Sequence, residues 1–188
     1  MRRRLASLAA IAWRQPLGAI GTVIVGVLVV TALCAPALAP HGPKETGFAP
    51  YLPPSGQFPM GTDQIGRDVL SRVVWGARLS LYIGLASVVV GITLGTLWGV
   101  ATAYFGGVAD AASQRVVDSL MALPPIILAL ALMAALGSSV TNVILALTLL
   151  LTPTAARTMR SVALGIMASP YIEAARAAGG SHARIIVR

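Results

Sequence analysis

The chain has 188 residues, of which 56% are hydrophobic and only 11% are charged, whereas soluble domains usually carry about 25% charged residues. This composition predicts an all-α membrane protein and excludes an ordinary soluble domain. The net charge of +8 is also typical of nucleic-acid-binding proteins, but here the arginines flank apolar runs, so no nucleic-acid partner is expected. A single cysteine, Cys34, and two isolated histidines predict neither an internal disulfide nor a metal site.

The first apolar run covers residues 17–39 and follows a short N-terminal segment, residues 1–16, that contains four arginines. By helical rise the run is about 34 Å long, enough to cross a bilayer. A signal peptide cut after Ala39 would show a similar pattern, but its apolar region would be only about 7–15 residues long. Pro40 would also follow the cut directly. We therefore favour an uncleaved first span with a cytoplasmic N-terminus.

Residues 40–78 are predicted to form an external loop. Its first part, PHGPKETGFAPYLPPSGQFPMG, holds six prolines and four glycines, too many for a helix or a central strand. In the following stretch, GTDQIGRDVLSRVVWGARLSL, apolar residues recur at helical spacing. This spacing predicts an amphipathic helix at the membrane surface. The same pattern fits a polar lead-in to the next span, and the two interpretations are compatible.

The second predicted span, residues 79–105, contains no charged residue. Within it Gly91, Gly95 and Gly99 recur every four residues, so all three lie near one face of a helix. Such a row of small residues lets another helix approach closely. The pattern predicts tight helix packing and no chemistry.

The third predicted span, residues 119–136, follows the polar segment GGVADAASQRVVDS. In that segment Arg115 and Asp118 are spaced to pair on one helix face. Pro124 and Pro125 are expected to kink the span that follows.

The fourth predicted span covers residues 140–156, after the chargeless hairpin GSSVTN, and has Pro153 near its end. If the N-terminus is cytoplasmic, ten of the fourteen Lys and Arg residues lie on the cytoplasmic side, as the positive-inside rule requires. The tail, residues 157–188, is then cytoplasmic.

The tail contains the segment SPYIEAARAAGGSHARIIVR, which predicts two short helices separated by a bend. Ser169 suits the N-cap of the first helix, and Glu173 lies in or just past its first turn, where a negative charge is favourable. Gly179 and Gly180 should end this helix. A second helix is expected to begin near His182.

A helix of about nine residues is not stable alone and must dock on something. Its predicted apolar face consists of Tyr171, Ile172, Ala175 and Ala178. The sequence leaves two partners open, the ends of the same chain and a separate cytoplasmic subunit.

The segment EAARAAG resembles the EAA loop of ATP-binding-cassette importer permeases, in which Glu-Ala-Ala, three residues, Gly and nine residues precede Ile-x-Leu-Pro. The matching residues are Glu173, Ala174, Ala175 and Gly179. The segments GTDQIGRDVLSRVVWGARLSL, AYFGGVAD, RVVDSLMALPPIILAL and SPYIEAARAAG also resemble, in the same order, the dipeptide/oligopeptide/nickel branch of these permeases. The resemblance covers the chain from about Arg14 onward.

This resemblance implies a permease subunit of the bacterial cytoplasmic (inner) membrane that moves small peptides or a related solute. The implied partners are a second permease subunit, two cytoplasmic ATP-binding subunits, an extracytoplasmic solute-binding protein and membrane lipid. It further implies that the tail docks on an ATPase through Tyr171, Glu173, Ala174, Ala175 and Gly179. No catalytic residue is expected, and ATP would be bound by the partner subunits.

Family members resemble a six-helix protein, with two spans after the EAA loop, whereas four spans are expected here. The tail would then be an incomplete EAA loop, and the chain a fragment of a longer product or the product of a truncated gene.

A different class of function, a membrane scaffold or a secondary transporter subunit without an ATPase, stays open at this stage. Its secondary-transporter form is disfavoured because no ionisable residue lies in the middle of a predicted span, where ion relays usually need one. Several polar residues of the spans can line a path, but they fit helix packing better. They are Thr93, Thr96, Asn142, Thr148 and Thr152.

Overall fold

The computed structural model of the chain describes residues 16–187, so that nearly all of the predicted N-terminal segment lies outside it. The described residues form eight helices, and their only strand-like pairing is an isolated bridge between Thr62 and Asp68. The helices are α1 (Pro16–Leu33), α2 (Ala35–Leu38), α3 (Val69–Phe105), α4 (Gly107–Ala122), α5 (Pro125–Leu136), α6 (Val140–Met167), α7 (Pro170–Ala177) and α8 (His182–Val187).

Within residues 16–187, the helices α1, α3 and α6 are long and apolar enough to cross a membrane. The pair α4 and α5 makes a fourth candidate if it is counted as one broken span, although its two halves meet at 88°. This arrangement confirms the predicted all-α, multi-pass membrane fold.

The first apolar run is interrupted near its end, unlike the continuous span that we expected. Helix α1 stops at Leu33, Cys34 leaves the helical backbone, and the four-residue α2 follows. Pro36 explains the break, because it has no N–H to donate to the preceding turn and its ring would clash with the carbonyl of Ala32.

The predicted surface helix also differs from the structure. Residues 61–68 form a turn, in which Gly61 and Gly66 have φ values of +71° and +70°. Helix α3 begins only at Val69 and then runs for 37 residues without a break, about 55 Å by helical rise. The amphipathic stretch from Val69 is therefore a lead-in that is continuous with the apolar span.

Asp68 caps the start of α3. Its carboxylate is 2% exposed and accepts the backbone N–H groups of Leu70 and Ser71 as well as the Ser71 hydroxyl. Burial alone would raise the pKa of Asp68, but hydrogen bonds from Ser71, His41 and the backbone outweigh it and lower that pKa. Because the His41 backbone N–H donates to the Ser71 hydroxyl at 3.0 Å, this cap also anchors the start of the loop.

Asp63 organises the turn before the cap. Its carboxylate accepts the backbone N–H groups of Ile65 and Arg67, each at 3.0 Å, and pairs with the side chains of Arg67 and Arg72. Burial opposes ionisation, but hydrogen bonds from the backbone of Arg67 and Ile65 and the charge of Arg67 lower the pKa of Asp63 to about 2. The proline-rich loop is thus held by a defined polar network, supported by edge and stacking contacts among His41, Phe48 and Phe58.

The row of three glycines in α3, spaced four residues apart, lies directly against α6. A Cβ placed on Gly95 would be 2.5 Å from both the Ala155 Cβ and the Thr152 carbonyl oxygen. A Cβ placed on Gly91 would likewise lie close to Leu151 and Thr148, and a Cβ placed on Gly99 would lie close to the backbone of Ala156 and Arg160. The helices therefore touch backbone to backbone, which only residues without a side chain permit.

Charged groups join α4 to α6. Asp110 takes a bidentate pair of hydrogen bonds from Arg160, at 2.6 and 2.5 Å, and Asp118 pairs with Arg157. Asp118 thus pairs with α6. The sequence spacing had suggested that Asp118 would pair with Arg115 on its own helix instead. These contacts are possible because α6 continues to Met167, beyond the expected end of the fourth span.

The break between α4 and α5 is sharper than a kink. Leu123 adopts an extended backbone with ψ of 137°, and Pro124 follows with ψ of 127°. A residue before proline is pushed out of the helical region, and two prolines in succession extend the break. Pro153, by contrast, stays inside α6.

The loop network yields a pH prediction. Because the folded pKa of Asp63, about 2, lies below its ordinary value of 3.8, ionised Asp63 stabilises the folded loop above about pH 4, and this stabilisation is lost as the pH falls through 2. Pepsin should therefore cut residues 40–68 faster as the pH is lowered through this window, with rates normalised to an unstructured peptide in the same tube. Asp63→Asn should lose most of this pH dependence. Equal cleavage of the unsubstituted loop across the window would contradict the role of Asp63.

The glycine row yields a second prediction, about stability. Gly95→Ala forces α3 and α6 apart and should lower the free energy of unfolding by about 1–3 kcal/mol, the usual cost of overpacking. The measurement is the thermal unfolding midpoint of the chain in detergent. Gly84→Ala is the matched control, because a Cβ on Gly84 meets nothing within 4 Å. Equal effects of the two substitutions would show that helix propensity, rather than close packing, explains the glycine row.

Candidate functional site

The candidate site is the pair of short helices α7 and α8 together with the bend between them. Ser169 has the extended backbone of an N-cap, and Pro170 occupies the first helical position. The Ser169 hydroxyl, however, donates to the Ile166 carbonyl instead of accepting a backbone N–H of α7. Glu173 lies in the first turn of α7, where its charge favours the helix dipole.

The bend is a complete Schellman motif, and glycine is needed at its two positions for different reasons. The Gly180 N–H donates to the Ala175 carbonyl at 2.9 Å, and the Gly179 N–H donates to the Arg176 carbonyl at 3.0 Å. Gly179 has φ of +76° and open space around it, so its backbone conformation requires glycine. At Gly180 space is limiting, because a Cβ there would lie 2.8 Å from the Ala175 carbonyl oxygen.

Ile172 attaches α7 to the rest of the chain. It is only 5% exposed and borders a small apolar cavity of about 130 Å³. The cavity is formed by the ends of α3 and α6 and by α8. Its other lining residues are Val100, Tyr104, Met159, Val162, Ala163, Ile166, Met167 and Ile185. We call this arrangement the Ile172 socket.

Tyr104, near the end of α3, contacts both short helices. Its hydroxyl is hydrogen-bonded to the Nδ1 of His182 on α8. The guanidinium of Arg176 on α7 lies 5.8 Å from the centre of its ring, within the range of a cation–π contact. Nothing in the sequence pattern singled out Tyr104, because these partners lie 72 and 78 residues further along the chain.

The apolar face that we predicted for α7 is divided in the structure. Ile172 points into the socket, whereas Tyr171 is 61% exposed and Ala178 is exposed as well. Ala175 is half-buried and borders a surface groove together with Tyr171 and Ala178. Glu173, Ala174 and Gly179 are also exposed. Ile172 is therefore the buried attachment of α7, and Arg176 adds a contact with Tyr104. The residues of the predicted docking set lie on the surface or border that groove: Tyr171, Glu173, Ala174, Ala175 and Gly179.

Comparison with known proteins identifies the family. Residues 91–188, slightly more than half of the chain, match the family model described as binding-protein-dependent transport system inner membrane component. The chain belongs to this family. Residues 7–59 also match the model of the N-terminal TM domain of oligopeptide transport permease C.

Curated relatives of the chain share 34–41% identity with it. A putative peptide transport system permease protein of Brucella suis biovar 1 is 41% identical over 170 residues, covering 90% of this chain and 57% of the relative. A di/tripeptide transport system permease protein of Pseudomonas aeruginosa is 37% identical, covering 90% and 58%. A glutathione transport system permease protein of Escherichia coli O1:K1 is 37% identical, covering 93% and 58%. The chain thus spans somewhat more than half the length of these relatives.

The two matches to transport-component families cover different parts of the fold. The match over residues 91–188 contains the glycine row from Gly91, the charged contacts of α4 and the whole of α7 and α8. The match over residues 7–59 contains α1, α2 and most of the proline-rich loop. The candidate site therefore lies in the part that defines membership of the inner membrane component family.

The Ile172 socket leads to a prediction about the attachment of α7. Ile172→Ala removes the buried side chain that packs against the ends of α3 and α6 beside the cavity, and it should destabilise the docked helix by about 2–4 kcal/mol, as for other large-to-small substitutions. Hydrogen exchange of the amides from Ala174 to Gly180 should accelerate accordingly. Tyr171→Ala, at an exposed neighbouring position, is the control and should leave these rates unchanged. Similar exchange in both variants would mean that the socket does not hold α7.

Proposed function

We propose that this chain is a permease component of an ATP-driven importer, and that α7 is the element through which an ATP-binding subunit drives it. One observation carries the proposal. Helix α7 is seated on the ends of two span-length helices through one buried residue, Ile172, and through the contact of Arg176 with Tyr104, and it leaves a surface of mostly small residues uncovered. The family and the printed functions of the relatives, which are permeases for peptides, di/tripeptides and glutathione, support small peptides or a related solute as the cargo.

The proposed mechanism is mechanical. A cytoplasmic ATP-binding subunit holds α7 at the surface formed by Tyr171, Glu173, Ala174, Ala175 and Gly179. When ATP closes the pair of ATP-binding subunits, α7 moves with the subunit that holds it. Ile172 and the contacts of Tyr104 then transmit this displacement to α3 and α6. The chain itself binds no cofactor in this mechanism, and ATP is hydrolysed by its partners.

Small and charged side chains make α7 suitable for such a joint. Ala174 and Ala175 add little bulk, so that a cleft in a partner can approach the helix backbone closely. Arg176 and Arg184 are exposed on α7 and α8 and favour an acidic surface on the partner. The Schellman bend sets the direction in which the chain leaves the joint, because two backbone hydrogen bonds hold the left-handed conformation that Gly179 permits.

The proposed topology follows from the distribution of Lys and Arg. The N-terminus and the α7–α8 segment lie on the cytoplasmic side of the bacterial inner membrane. Residues 40–68 then face the outside, where a solute-binding protein delivers the cargo. A second permease subunit completes the path, and a second ATP-binding subunit serves it.

The bend provides the test. In the subunit assembled with its natural partners in proteoliposomes, Gly179→Val should uncouple ATP hydrolysis from uptake, because valine strongly disfavours a φ of +76°. We expect the number of solute molecules imported per ATP to fall about tenfold. The measurement is uptake and phosphate release in the same sample.

Gly179→Asn is the matched control, since asparagine tolerates the left-handed region better than other residues with side chains. It should retain most of the coupling. Unchanged ATP-dependent uptake in Gly179→Val would contradict the docking role of the bend. Uptake that is driven by an ion gradient, with no ATP-binding subunit recovered in purification, would instead favour the secondary-transporter alternative.

A further inference from the structure

An open groove of about 470 Å³ lies beside the first turns of α3, a volume within the range of small-ligand sites. It is bordered by Lys44 from the proline-rich loop and by Trp75, Arg78, Leu79 and Tyr82 from α3. All of these residues belong to the part of the chain before Ile83, and none of them takes part in the Asp63 and Asp68 networks. The site is therefore separate from the α7 joint and from the helix cap.

The indole N–H of Trp75 is a hydrogen-bond donor without an acceptor among the described residues. Its Nε1 is fully shielded from solvent, yet no acceptor for it lies among residues 16–187. A buried N–H without a partner costs free energy, and such groups in native proteins usually have an explanation. By contrast, the indole N–H of Trp98 donates to the Ser113 hydroxyl at 2.6 Å. A small rotation of the indole toward the groove that Trp75 borders would let a bound molecule supply that acceptor.

Two positive charges border the same groove as Trp75. The guanidinium of Arg78 lies 5.6 Å from the centre of the Trp75 ring, and Lys44 borders the same groove. Neither cation has a carboxylate within 4 Å among residues 16–187, whereas Arg67 and Arg72 both pair with Asp63. The neighbouring acid, Glu45, is engaged with the backbone N–H of Gly42 at 2.9 Å. The groove thus carries two cations without a carboxylate partner in the described part of the chain, which favours the binding of an anion.

The walls of the groove identify the source of that anion. Leu79 and Tyr82 are exposed and stand at the start of the apolar part of α3, where the chain enters the hydrocarbon region. Tryptophan and tyrosine prefer this headgroup level, and lysine and arginine extend their charges toward it. We propose that the groove binds the phosphate of an anionic phospholipid, with Trp75, Arg78 and Lys44 around the headgroup and an acyl chain along Leu79 and Tyr82.

Lipid titration followed by native mass spectrometry tests the proposal on the purified full chain in a mild detergent. Phosphatidylglycerol should bind about tenfold more tightly than phosphatidylcholine, because each cation near a membrane surface strengthens anionic-lipid binding several-fold. Lys44→Gln combined with Arg78→Gln should abolish this preference. Trp75→Phe keeps an aromatic ring but removes the N–H together with part of the indole, so it should weaken phosphatidylglycerol binding by about threefold or more.

Control variants distinguish loss of the anion site from misfolding and from a general effect of charge. Lys44→Arg combined with Arg78→Lys keeps both charges and should retain the preference for phosphatidylglycerol. Arg115→Gln removes an exposed cation of α4 outside the groove and should also retain it. Circular dichroism of each variant checks that the helices are intact.

Three outcomes would overturn the proposal. Equal binding of the two lipids by the unsubstituted chain would show that the groove does not select an anion. An unchanged preference in the double glutamine variant would place anion binding elsewhere. Displacement of phosphatidylglycerol by soluble glycerol phosphate at a similar concentration would show a site for a free phosphate rather than for a lipid.

Discussion

The close approach of α3 and α6 is the contact on which the other features of residues 83–187 depend. Three glycines spaced four residues apart bring the two backbones together, and in an apolar environment such packing, rather than the hydrophobic effect, holds helices together. This contact places the ends of α3 and α6 side by side. Without it Val100 and Tyr104 would not meet Val162 and Ile166, and the socket for Ile172 would not exist.

Polar contacts are concentrated where the helices leave the apolar region. Asp110 and Asp118 on α4 pair with arginines near the end of α6, and Tyr104 holds α7 and α8 through an aromatic ring and a hydroxyl group. Ion pairs and hydrogen bonds add direction to packing that is otherwise made of interchangeable apolar contacts. The end of the helix bundle that carries α7 is therefore more specifically organised than its apolar centre.

A joint that transmits force needs both a firm attachment and a free surface, and α7 has both. Its attachment consists of one buried isoleucine beside a small apolar cavity and of the contact between Arg176 and Tyr104, so that the helix can shift within its seat without losing many contacts. Its free surface consists of short side chains next to a bend that is stabilised by two backbone hydrogen bonds. The proposed coupling role requires this combination. A fully buried helix would leave no surface for a partner to bind, and a helix without an attachment could not transmit its displacement to α3 and α6.

Local chemistry was readable from the sequence. The apolar runs, the glycine spacing in α3 and the bend at Gly179 depend on residues a few positions apart, because φ preferences and helix periodicity act over one or two turns. Local patterns were less reliable at boundaries, where Pro36 ended α1 early and the carboxylate of Asp63 folded a turn in place of a helix start.

Only the tertiary structure decided which distant groups meet. It placed α6 against the glycine row, Asp118 beside Arg157 rather than Arg115, and Ile172 rather than Tyr171 inside the protein. Each of these choices depends on how two helices rotate and slide against each other. That geometry is a property of the packed bundle, and no short segment of sequence contains it.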